Sequence, residues 1–114
     1  MTTSDPESNR RKEQTPLREP QECTSLDQVR QEIDRIDRQV IADLGRRLTY
    51  VRAAARFKKS EDDVRAPERF AAMLHARRLW AAEEGLSPDV IEHVYSHLVA
   101  HFMQEEMEHW QATS

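Results

Sequence analysis

The sequence predicts an all-α fold: a three-helix protomer with one long N-terminal helix that pairs with a second copy of itself. Three observations carry this. Leu26, Val29, Ile33, Ile36, Val40, Leu44, Leu48 and Val51 recur at spacings of three or four, the period of an amphipathic helix. Breakers are scarce, with 2 glycines and 5 prolines in 114 residues, and beyond the N-terminal stretch Pro67, Gly85 and Pro88 stand where helices start or stop. The first helix, about 32 residues, measures about 48 Å, whereas a compact domain of this size is only about 35 Å across. Its apolar stripe overhangs, and the same helix of a second copy, related by a two-fold axis, is the simplest cover.

Residues 1–22 (MTTSDPESNRRKEQTPLREPQE) mix both charges with prolines and almost nothing apolar, a composition that cannot repay the entropy of ordering. They are expected to form a disordered tail, with docking to a partner as the second reading, and residues 23–114 to form the domain. Ser25 is an N-cap, Asp27 suits the first turn, and Gln28 completes a capping box. Helix one then runs to about Lys59. The polar stretch SEDDVRA, residues 60–66, lacks periodicity and reads as a loop. Pro67 followed by Glu68 opens helix two, whose apolar side is Phe70, Met73, Leu74, Trp80 and Ala81 and whose stop is Gly85. Ser87, Pro88 and Asp89 open helix three, which reaches about Trp110 with Ile91, Val94, Leu98, Phe102, Met103 and Met107 inward.

Composition excludes several functions. A net charge of −4 is not the electrostatic footprint of a nucleic-acid binder. Cys23 stands alone, so neither an internal disulfide nor a multi-cysteine zinc site is expected, and a reducing, cytoplasmic setting fits. No segment approaches the ~20 apolar residues of a membrane span, and the N-terminus lacks the apolar core of a signal peptide. There is no glycine-rich phosphate loop, nucleophile elbow or dinucleotide fingerprint, so no cofactor is expected. His93, His97, His101 and Glu105 form an i, i+4 ladder with metal-ligand spacing, but it lies mostly on the polar side and reads as a solvated row, not a metal site.

The informative residues are charges on apolar faces. On a helical wheel Arg47 falls about 30° and Lys58 about 10° from the centre of the stripe, while Arg46 points roughly 120° or more away. Arg30 lies on the flank of the stripe, about 25 Å from Arg47 along the axis. Buried cations are rare unless paired. Asp37, Asp43 or Glu68 could answer them internally, or the stems could snorkel to water; alternatively they clamp a small anion with arginine forks on its carboxylates. One straight helix cannot bring Arg30 to Arg47, whereas an antiparallel partner helix can. In helix three, Glu106 falls on the side of Val99, Phe102 and Met103. It is expected either to be neutral and donate a hydrogen bond or to be satisfied by Arg69 or Lys58. Trp80 and Trp110 read as core or interface anchors.

IDRIDRQVIADLGRRLTYVRAAARFK, then APERFAAML, then WAAEEGL, resembles the all-α chorismate mutase family in order and separation, over about residues 22–110. The nearest branch is the isochorismate pyruvate lyases, the salicylate-forming enzymes of siderophore pathways. The resemblance implies an intertwined homodimer with shared sites, each holding a dicarboxylate enolpyruvyl ether without a cofactor. It implies that Arg30 reaches in from the partner subunit, that Arg47 and Arg69 bind carboxylates, and that Lys58 bonds the ether oxygen. Met103 takes the place of a wall residue, and Glu106 falls where the family normally has glutamine, although some mutases carry glutamate there. Ala66 and Pro67 fill the stretch in which mutases carry an acid, which favours isochorismate. The expected activity is conversion of isochorismate to salicylate and pyruvate, with weak chorismate mutase side activity. A dedicated mutase for chorismate or an amino analogue is the runner-up, and a non-catalytic helical dimer with a regulatory role is the reading from another class.

Overall fold

The computed structural model describes residues 15–113; the expected tail lies outside the described residues over 1–14. Helix α1 spans Leu26–Ala55, α2 Glu61–Arg65, α3 Pro67–Glu83 and α4 Pro88–Thr113, with a 3-10 turn at Pro20–Glu22 before α1. No strand occurs among the described residues. Two compact units divide the chain between Ala42 and Asp43.

In the N-terminal unit, the Ser25 hydroxyl accepts from the Gln28 amide at 3.1 Å, as an N-cap should. The Gln28 side chain reaches one residue further back than a capping box requires and accepts from the Thr24 amide at 2.7 Å. Residues 15–22, expected to be part of the tail, are instead held. Glu32 is 7% exposed, and its carboxylate accepts from the Arg18 amide at 3.2 Å, from Arg18 Nη1 at 3.0 Å and from Arg35 Nη1 at 2.9 Å. Arg35 also donates to the Thr15 carbonyl. Pairing across 14 residues overrides what the polar composition of the segment suggests. Meanwhile the apolar stripe of α1 remains open to solvent, with Ile33, Ile36 and Val40 50%, 48% and 49% exposed.

In the second unit α1 ends at Ala55, short of the expected end near Lys59. The Arg56, Phe57 and Lys58 amides bond carbonyls three residues back, at 3.2, 3.0 and 3.2 Å, and this tightening closes the helix. The expected loop at 60–66 contains the single-turn helix α2. Ser60 Oγ accepts from the Asp63 amide at 3.1 Å, and Asp63 Oδ2 accepts from the Lys59 amide at 2.9 Å, a reciprocal cap. The acids Glu61, Asp62 and Asp63 crowd its N-terminus, where the helix dipole favours them. A helix this short with Val64 as its one buried residue leaves no periodic signal.

Ala66 closes α2 and opens α3 in the left-handed region, at φ 36° and ψ 64°. Pro67 accounts for the break, since it disfavours the right-handed helical conformation at the residue before it. Helix α3 ends before Gly85, whose φ of 76° suits a glycine, and the Leu86 amide bonds back to the Ala81 carbonyl at 2.8 Å. Ser87 Oγ then caps α4 by accepting from the Val90 amide at 3.2 Å. Arg78 fastens α3 to α4, donating to Asp89 and Glu92, both at 2.8 Å. The core of this unit is thin, made of Ala55, Val64, Met73, Ala81 and Phe102. No helix among the described residues is long and apolar enough to cross a membrane.

Candidate active site

A cavity of about 350 Å³ lies within the second unit. Helical spacing explains its walls. The end of α1 presents Arg47, Val51 and Ala54, with Lys58 on the turn that follows; α3 presents Arg69, Met73 and Arg77; α4 presents Val99, Phe102, Met103 and Glu106. Val64, Arg65 and Ala66 close one end. Five of the six residues expected at a site, Lys58, Glu106, Arg47, Arg69 and Met103, therefore share one cavity. Arg30 belongs to the N-terminal unit and is not among the lining residues.

The cations are handled in different ways. Lys58 Nζ donates to Glu106 Oε2 at 2.9 Å, with the carboxylate side chain only 9% exposed. Glu106 is thus satisfied by Lys58, one of its two expected partners. The Trp110 indole donates to the Lys58 carbonyl at 2.9 Å and fixes the turn carrying the lysine. Arg65 pairs with Glu61 at 3.5 Å. Arg46 pairs with Asp43 at 3.6 Å on the solvent side, as its wheel position predicts.

Arg47 has no such answer. Its Nη1 is buried without a hydrogen-bond partner, and its guanidinium carbon stands 5.0 Å from the centroid of the Phe102 ring. The three acids proposed for it from sequence do not bond that nitrogen. A ring face stabilises a guanidinium by cation–π attraction without consuming its in-plane donors. Arg77 repeats the arrangement: its Nε is buried and unpartnered, and its guanidinium lies 4.7 Å from the Trp80 ring and 5.6 Å from Tyr95. Burial holds Arg77 below the ordinary arginine value; Tyr95 opposes the shift, and the charges of Arg47 and Arg69 add to it. Cations that repel one another in a partly desolvated hollow suit a ligand with more than one negative charge.

The sequence matches the chorismate mutase type II family over residues 29–107, well over half of the chain. The chain belongs to that family. A relative from Pseudomonas aeruginosa, named isochorismate pyruvate lyase, is 42% identical over 97 residues, covering 85% of this chain and 96% of its own. The T-protein of Haemophilus influenzae is 40% identical over 82 residues, 71% of this chain but 21% of that protein. The all-α fold and the enzymatic nature of the chain rest on these likenesses together with the helices.

Sequence reasoning passed over Arg77. Its signal was present, since Arg77 falls four residues after Met73 and four before Ala81, both buried, in the same register that singled out Arg47. Among the described residues no group of acids, histidines and cysteines has the geometry of a metal site; His101 Nε2 lies 3.9 Å from Glu105, which also takes Arg52 at 3.3 Å.

Proposed function

We propose that this chain is an isochorismate pyruvate lyase. The observation that carries the proposal is a cavity in which Arg47 offers a buried, unpartnered guanidinium N–H beside Arg69, Lys58 and an apolar wall. The 42% identical relative of that name favours isochorismate as substrate. In the reaction the ring-to-ether C–O bond breaks while a ring hydrogen passes to the enolpyruvyl methylene, and the ring becomes aromatic. Salicylate and pyruvate account for every atom, and the step needs neither a nucleophile nor a redox partner. Catalysis then consists of holding the reactive conformer and stabilising the charge that grows on the ether oxygen.

In this reading Arg47 and Arg69 take the two carboxylates, and Lys58 donates to the ether oxygen. Met103 shapes the wall, and Glu106 tempers the charge of Lys58. Arg30 completes the site from a second copy, in a homodimer whose interface covers the exposed stripe of α1. The thin core and that open stripe support the dimer. The second reading, a dedicated chorismate mutase forming prephenate, is favoured by the description of the family itself.

Incubating the purified protein with isochorismate and, in parallel, with chorismate tests the proposal. Salicylate fluorescence from isochorismate at a rate well above that of prephenate formation is expected. Prephenate as the dominant product points to the second reading, and no product from either substrate overturns both.

A further inference from the structure

Three arginines of the cavity, Arg47, Arg69 and Arg77, have no acid at ion-pair distance among the described residues, whereas Lys58 is answered by Glu106 and Arg65 by Glu61. A dicarboxylate held by Arg47 and Arg69 alone would leave the charge of Arg77 uncompensated in the same hollow. A buried charged donor without an acceptor is destabilising, so a protein that keeps one has a use for it or relaxes it toward water. Arg77 is not free to relax in that way. Its guanidinium rests against Trp80 from its own helix and Tyr95 from α4, and Arg78 beside it clamps the same two helices together. Aromatic contact at the face of a guanidinium fixes its plane and leaves its edge available, which is the geometry that takes a carboxylate in two parallel hydrogen bonds.

On the reading that this cavity holds a dicarboxylate, we propose that Arg77 is a further substrate-binding residue: its edge, oriented by Trp80 and Tyr95, shares a carboxylate with the other arginines and makes the site select ring dianions over ring monoanions. The selectivity follows from the charges. With Lys58 and Glu106 cancelling, Arg47, Arg69 and Arg77 remain; a dianion leaves one positive charge over, whereas a monoanion leaves two cations repelling each other at reduced dielectric.

The probes are isophthalate and benzoate, bound to the full chain and followed by titration calorimetry in the wild type, Arg77→Gln and Arg77→Lys, with circular dichroism to confirm helical content. The wild type is expected to prefer isophthalate. In Arg77→Gln that preference falls about tenfold or more, the loss expected for a hydrogen bond to a charged group, and the KM of the turned-over substrate rises with it while kcat moves less. Arg77→Lys, which keeps the charge and loses the fork, falls in between. If Arg77→Gln fails to fold, Arg77→Lys decides by the same ratio. A preference that changes by less than about threefold, or a wild type that does not prefer the dianion, overturns the proposal. Should the wild type turn over neither isochorismate nor chorismate, the proposed reaction falls, while the ratio of the two probe affinities still decides the role of Arg77.

Discussion

Lys58 Nζ and Glu106 Oε2 stand 2.9 Å apart in the wall of the cavity, so the cation that the proposed reaction turns toward the ether oxygen is shared with an acid of the protein's own. That contact has opposite consequences for stability and for catalysis. Glu106→Gln keeps an acceptor for Lys58 and removes the negative charge. With the lysine side chain 25% exposed, the lost attraction is that of a partly solvated pair, about 1 kcal/mol of stability. The same change removes repulsion toward the substrate, and kcat/KM at neutral pH is expected to rise by about three- to tenfold. Steady-state kinetics at neutral pH check this, and a variant slower than the wild type would show Glu106 assisting the reaction.

The proposed sharing of the site between subunits has a sharper test. Arg30→Ala and Arg47→Ala are each expected to be nearly inactive. Mixed and allowed to exchange subunits, they form heterodimers in which one site lacks both arginines and the other lacks neither. Activity is then expected to return to about a quarter of the wild-type value, since half the dimers are mixed and half of their sites are intact. No recovery, in a sample whose subunits demonstrably exchange, would place Arg30 outside the site.

Why some of this was legible in the sequence and some was not follows from the range of the interactions. Arg47, Lys58 and Glu106 interrupt long apolar stripes, so helical spacing alone set them apart, and all three meet in one cavity. Arg77 interrupts a shorter stripe on α3, and the residue that gives it meaning, Tyr95, lies on another helix. The turn at Glu61–Arg65 rests on a local cap and a single buried valine, neither of which generates a period. The fastening of residues 15–22 depends on Glu32 meeting Arg18, a charge pair that a composition argument averages away. Ser25, Pro67, Gly85 and Ser87, by contrast, act through their nearest neighbours, and the helix boundaries they mark fell close to where the sequence put them.

That N-terminal fastening is pH dependent. Burial tends to raise the Glu32 carboxyl, but the Arg18 amide and the Arg35 and Arg18 guanidinium groups outweigh it and hold Glu32 below the usual carboxylate range. A depressed value in the folded state means the unfolded chain binds the proton more readily. The contribution is therefore complete above the ordinary carboxylate value and is lost as pH falls through the lower, folded one. Hydrogen exchange at the Arg18 amide is expected to accelerate over that acid range before the helices lose their circular dichroism. Glu32→Gln should show the fast exchange at neutral pH as well. Loss of both signals together would mean the segment has no separate transition.

Ala66 carries a left-handed backbone that costs a residue with a Cβ about 1–2 kcal/mol. Glycine relieves this and gives back about 0.5–1 kcal/mol through the freer unfolded chain. Ala66→Gly is expected to stabilise the protein by about 0.5 kcal/mol in urea titration. A loss of more than about 1 kcal/mol would mean the Cβ packs against the cavity in a way that outweighs the strain.

The central claim is that Arg47 keeps its Nη1 buried and unpartnered for the sake of an anionic ligand and not for the sake of the fold. Arg47→Met separates the two, because methionine keeps much of the contact with Phe102 and removes the charge. Measured side by side, kcat/KM with isochorismate is expected to drop about a hundredfold or more, while the melting temperature stays level or rises, since a buried donor without a partner has been removed. A variant that melts several degrees lower, or one that retains activity within about tenfold of the wild type, would contradict the account.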